Sequence, residues 1–224
     1  MNNEFLRSSV LFRQFILAVL GLAVGAISLH AHSVWIEPNG QGQLVVRFAE
    51  PDGKLEKSPG YLDSLSTPIV FTMATNTPST VEAPKKSDHF LLVNASPDAT
   101  ACAETSFTVR AARKPYFYAR WQAAADKSAN PLLTLDIVPT GKPGEARVYF
   151  RGQPLGGIKA TLRSPDEKEQ PLVADNDGFL HFKTEQSGQY LLTVAHHRET
   201  LPGFHLGVAY KETSHNAALT WRQP

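Results

Sequence analysis

The sequence predicts an all-β protein built as two antiparallel β-sandwiches, of the immunoglobulin or prealbumin kind, behind a cleaved signal peptide. Short runs of β-branched and aromatic residues recur along the chain, and turn formers separate them: 15 Gly and 16 Pro among 224 residues. One uncharged apolar segment stands close to the start. With 42% apolar and 19% charged residues the chain can bury a core and is too weakly charged for a disordered acidic or basic tail. Its 22 Lys and Arg against 21 Asp and Glu leave a formal charge of +1, so no broad basic field exists for a phosphate backbone. Nucleic acid is not the expected partner.

The first element is the segment FILAVLGLAVGAISL from Phe15 to Leu29, preceded by Arg7 and Arg13 and followed by His30-Ala31-His32. It is shorter than the ~20 residues of a membrane-spanning helix, and no second long apolar run follows, so it reads as a secretory signal covering residues 1–31. Cleavage is expected after Ala31, with Ala26 as the rival site. Loss of the segment removes Arg7, Arg13 and Glu4 and leaves a neutral chain without a mature transmembrane segment, placed in the periplasm. The single cysteine, Cys102, has no partner for an intramolecular disulfide and reads as a small buried hydrophobe.

The first sandwich is expected over residues 32–142, from the runs SVWIE at 33–37, QLVVRFAE at 43–50, PIVFTMA at 68–74, HFLLVNA at 89–95, SFTVRA at 106–111, YFYARWQ at 116–122 and LLTLDIV at 132–138. Only 54–66 and 123–128 could hold short helices, and Pro59-Gly60 weakens the first. The stretch Pro139-Thr140-Gly141-Lys142-Pro143-Gly144 is the best linker, which sets a boundary near 142.

Residues 143–224 supply seven further runs: ARVYFRG, GIKATLRS, PLVADNDG, FLHFKTE, GQYLLTVAHHRE, PGFHLGVAY and HNAALTWR. They fit one small sandwich, expected to fold alone. Tyr190, Leu192 and Val194 share one parity, as do Phe204, Leu206, Val208 and Tyr210, so each line should face a core. A three-residue loop Leu201-Pro202-Gly203 would put both lines on one face. That register sets Glu199 opposite His205 and gathers His197, Glu199 and His205 on the face away from the core.

The order of HSVWIEP at 32–38, VVRFAEPDG at 45–53, YFYARWQ at 116–122, LTLDIVP at 133–139 and VYFRGQPLGG at 148–157 resembles a secreted bacterial family of nickel or cobalt transport accessory proteins. The resemblance covers nearly the whole chain after the signal. From Glu145 onward, with Ala174-Asp175-Asn176-Asp177-Gly178-Phe179 as its turn, the chain is also similar to carboxypeptidase-regulatory-like modules. The resemblance implies a periplasmic, non-catalytic protein that binds or relays a transition metal beside an inner-membrane importer or an outer-membrane receptor.

Two constellations suit such chemistry. Cleavage after Ala31 would make His32 the N-terminus, and an N-terminal His offers a metal both its α-amine and its ring Nδ1. With the amine titrating near ~7.7–8.0 and imidazole near ~6.5, a divalent ion such as Ni²⁺, Co²⁺ or Cu²⁺ displaces the remaining protons readily at neutral pH. The second constellation is His197 and His205 with Glu199; His196, on the core parity, is read as hydrogen-bonded, His215 as starting the last strand without a partner, and His89 and His181 as structural. Asp175 and Asp177 read as a β-turn rather than a calcium loop, and Glu37 and Glu50 lie on different runs and form no evident acid/base pair. There is no GxSxG, Walker loop or HExxH motif, so the chain is not expected to be an enzyme. Competing readings are a copper oxidase or oxygenase with His32 as half of a histidine brace, and a structural or adhesive sandwich without metal.

Overall fold

The computed structural model describes residues 32–50, 53–73, 77–123 and 127–224. The expected signal peptide and both candidate cleavage sites lie outside them. Among the described residues the protein is nearly all β, without an α-helix; the segment considered for a first short helix holds a single 3-10 turn, Tyr61–Ser64. The strands of the first part are β1 (Ser33–Pro38), β2 (Leu44–Ala49), β3 (Ile69–Met73), β4 (Ser79–Val81), β5 (Phe90–Leu91), β6 (Thr100–Ser106), β7 (Arg113–Gln122) and β8 (Leu135–Pro139). Those of the second are β9 (Glu145–Phe150), β10 (Gln153–Pro154), β11 (Lys159–Arg163), β12 (Glu169–Val173), β13 (Phe179–His181), β14 (Gly188–Glu199), β15 (Gly203–His205), β16 (Val208–Tyr210) and β17 (Glu212–Gln223).

An eight-stranded sheet in the order β12-β11-β14-β17-β7-β6-β3-β4 forms the centre. Each half contributes four strands, and the halves join where β17 runs parallel to β7 from Glu212↔Arg113 to Trp221↔Gln122. The sheet is therefore continuous across the boundary expected near 142, and Ala31–Pro224 is one compact unit. Two smaller sheets cover it. Alternation along β7 shows how: Phe117, Ala119 and Trp121 join a core with β1, β2 and β5, whereas Tyr118 joins a second core with β8, β9 and β13. The strand expected at 106–111 lies instead at β6. Its Ala101, Cys102 and Ala103 are fully buried, and their small side chains let a layer approach each face of the sheet. Cys102 is thus the buried hydrophobe expected, its thiol pushed up to about 12 by burial.

A buried ion pair crosses between β7 and β8. Arg120 and Asp136 are 1% and 0% exposed, and the guanidinium meets the carboxylate through Nε at 3.0 Å and Nη2 at 2.6 Å. Asp136 also accepts from the backbone N–H groups of Leu132 and Leu133. Asp136 thereby fixes the approach to β8 as well as neutralising Arg120.

Tyr190, Leu192 and Val194 of β14 point into the second core, as their parity requires. The companion line does not: Phe204, Leu206 and Val208 are 78%, 84% and 52% exposed. The reason is competition for the edge of β14. β17, with nine consecutive buried residues, pairs with β14 over most of its length, and the 203–210 segment folds on itself as the separate two-stranded β15–β16 hairpin. The register Glu199 opposite His205 is replaced by Glu199↔Thr213 and His197↔His215.

Candidate functional site

His32 lies immediately before β1, whose pairing Ser33↔Ala49 carries it past the end of β2. There its ring packs against two aromatic rings, with centroids 5.1 Å from both Phe48 and Tyr61, which themselves stack at 6.1 Å. Glu56 returns alongside β2, its backbone N–H donating to the Phe48 carbonyl at 2.9 Å. The same residue's carboxylate Oε1 lies 2.9 Å from His32 Nε2, and the two side chains are 32% and 13% exposed. The Arg110 guanidinium lies over the Tyr61 ring at 4.7 Å and over that of Phe107 at 5.5 Å. A carboxylate accepts and does not donate, so this contact requires Nε2–H, and in the neutral ring the lone pair is then on Nδ1. Nδ1 is the ring nitrogen nearest the main chain of its own residue.

His197 and Glu199 come together with a different partner from the one expected. At the end of β14 a bulge separates Val194↔Ala217 from His197↔His215, with His196 at φ 61° and its N–H held by Asn216 Oδ1 at 3.0 Å. The extra residue turns His197 from the outer face to the face of Val194 and Ala217. Its ring then meets Phe150 at 4.4 Å and lies 6.3 Å from that of His215. His215, 4% exposed, has the Tyr118 hydroxyl 2.9 Å from Nδ1, with Thr213 Oγ1 and Glu199 Oε2 each 3.2 Å from Nε2. Arg151 grips both oxygens of Glu199, at 2.9 and 2.7 Å. Burial, more than any charge, pushes the pKa of both His197 and His215 down, with Glu199 opposing it in each case, so the neutral imidazoles are favoured.

This network suits a packed, hydrogen-bonded core better than a metal. Both oxygens of Glu199 are engaged by Arg151, and His205 stands apart on the β15–β16 hairpin. His32 is not brought to these residues: it packs on Phe48 of the first core, while His197 packs on Phe150 beside the second. Among the described residues, no three His, Cys, Asp or Glu side chains are grouped to hold a metal ion.

The other carboxylates and histidines considered have structural partners. Glu37 accepts from Trp35, Arg47 and Gln189, and Glu50 pairs with Lys54. Asp175 Oδ1 accepts from the backbone N–H groups of Asp177 and Phe179, closing a turn in which Gly178 has φ 85° and a Cβ would lie 2.8 Å from the Val148 carbonyl. His89 pairs with Asp88, and His181 lies 3.6 Å from Glu145. Comparison of the chain with protein-family models and with curated proteins gives no match.

Proposed function

We propose that the chain is an exported, non-catalytic protein that binds a divalent transition metal, nickel, cobalt or copper, as cargo at His32. The observation that carries this reading is the His32–Glu56 contact. With Nε2–H directed to the carboxylate, Nδ1 is left free, and Nδ1 is the nitrogen that closes a chelate ring with the α-amine of an N-terminal histidine. Glu56 would orient the ring and raise its basicity, as carboxylates do behind metal-bound imidazoles. Two nitrogens from one residue form this chelate without the three clustered side chains of an enclosed site. Such a half-filled coordination sphere suits an ion that must be passed on, beside an inner-membrane importer or an outer-membrane receptor in the periplasm, as the sequence resemblance implies. The oxidase alternative needs a second imidazole at the same ion, whereas the rings flanking His32 belong to Phe48 and Tyr61.

The test begins with the mass of the exported protein, expected to start at His32, and continues with titration of that form against Ni²⁺, Co²⁺ and Cu²⁺. Copper is expected to bind tightest whatever the physiological metal. One Ala added before His32 separates the amine from its own imidazole and is expected to weaken binding by ~10- to 100-fold or more, the scale for losing a ligand-shell contact. His197→Ala is expected to leave affinity unchanged. An added Ala without effect, or a mature start at Ile27, would overturn the reading.

A further inference from the structure

The 201–210 segment concentrates exposed apolar side chains that serve no core. Leu201, Phe204, Leu206 and Val208 are 50%, 78%, 84% and 52% exposed, whereas the other exposed large apolar residues among those described, Ile69, Leu132 and Val173, stand singly elsewhere in the chain. The tip joins His205 to Val208 through Leu206 and Gly207, at φ 50° and 79°. Both positions favour Asn or Gly, and leucine adopts the first only against the steric preference of its Cβ. The fold thus carries at this tip a large apolar side chain that is both strained and unburied.

The hairpin is nevertheless held firmly at its base. Tyr210 lies across Gly203 so closely that a Cβ there would be 2.6 Å from the tyrosine hydroxyl. Tyr210 also lies close enough to Tyr116 on β7 to raise the pKa of its phenol, an effect second to burial, and the Lys211 N–H donates to the Ala112 carbonyl at 2.7 Å. Around this base the charges are unequal. Glu212 and Glu199 are engaged by Arg198 and Arg151, while Arg110, Arg113 and Lys211 form no ion pair among the described residues. The exposed Lys211, bonded through its backbone to the 110–113 turn that begins at the exposed Arg110, therefore sets cations at the base of a protruding apolar tip.

We propose that the β15–β16 hairpin docks on an anionic lipid bilayer, with Phe204, Leu206 and Val208 entering the acyl boundary and the exposed Arg110 and Lys211 meeting the headgroups. Area argues for lipid over a second copy of the chain. A large aromatic side chain buries about 150–250 Å² and aliphatic ones less, so four such residues fall short of the ~800 Å² per partner of a standard protein interface. A bilayer needs only a few inserted apolar groups and neighbouring cations.

The test uses the chain from His32 onward, the unit that packs by itself, so that the apolar segment at 15–29 cannot contribute. It is sedimented with vesicles of phosphatidylglycerol and phosphatidylcholine in equal parts and with phosphatidylcholine alone. Preferential binding to the anionic vesicles, reduced by added salt, is expected. Phe204→Ser combined with Leu206→Asn should weaken it tenfold or more, while thermal stability holds or rises because Asn accepts the left-handed conformation. A second variant, Phe204→Trp, should show a blue-shifted emission quenched by brominated lipid. Equal sedimentation of wild type and double variant would overturn the proposal. So would concentration-dependent dimers, abolished by the double variant, in a protein that ignores vesicles.

Discussion

Replacing Asp136 by Ala would strand the Arg120 guanidinium in the centre of the molecule. Both side chains are essentially inaccessible, at 1% and 0% exposure, so water cannot take the place of the carboxylate without opening the layer between β7 and β8. The variant also removes the acceptor for the Leu132 and Leu133 N–H groups. Breaking one partner of a buried pair costs about 3–5 kcal/mol, far above the ~0–1 kcal/mol of an exposed pair such as Lys54–Glu50. For a unit of about 190 residues, at ~2–4 °C per kcal/mol, the melting temperature should fall by ~6–20 °C. Urea unfolding followed by tryptophan fluorescence measures the loss directly. Exchanging the whole pair, as Arg120→Met with Asp136→Leu, should be milder than Asp136→Ala alone, because no buried charge is left behind. A single variant that loses less than ~1 kcal/mol, or a double variant worse than the single, would refute the buried-charge argument.

Lys114 supplies a pH signature. Its ammonium donates to the Phe107 carbonyl at 2.7 Å and lies 5.8 Å from the Tyr116 ring, with His205 on the hairpin nearby, and burial lowers its pKa to about 8. The unfolded value of ~10.4 is higher, so the unfolded chain binds more protons between the two and stability should rise across that interval with pH. Lys114→Met should flatten that rise in urea unfolding, and parallel pH curves for the two proteins would refute the assignment. The fragment 144–224 tests the boundary near 142: cut from β7 and β8, it exposes one edge of β17 and one of β9, and it should melt without a cooperative transition. Cooperative melting of the fragment would show instead that its seven runs close a core of their own.

The β character and the parity of individual strands were legible because alternation is local. Tyr190, Leu192 and Val194 face a core wherever β14 finds its partner. Partner choice was not local. The hairpin expected across Leu201-Pro202-Gly203 satisfied every short-range rule and lost to β17, which lies farther along the chain but buries nine consecutive residues. The bulge at His196 escaped for a similar reason: no Gly or Pro marks it, and Asn216, which holds it, is twenty residues away. His215 consequently looked unpartnered in the sequence and stands among Tyr118, Thr213 and Glu199 in the fold. At the other site, His32 was legible from its position after the apolar segment. Glu56 and Tyr61 were not, because the segment between Lys54 and Ser66 has no periodicity to show which side chains turn toward β2.

The most direct test of metal binding at His32 is the nitrogen spectrum of its ring. In histidine-¹⁵N-labelled protein beginning at His32, with Zn²⁺ as a diamagnetic probe, the metal-free ring should carry its proton on Nε2, against Glu56. Addition of zinc should shift Nδ1 to a metal-bound value while Nε2 keeps its proton. Zinc on Nε2, or a His32 ring unmoved by zinc at saturating concentration, would contradict a chelate formed by the amine and Nδ1.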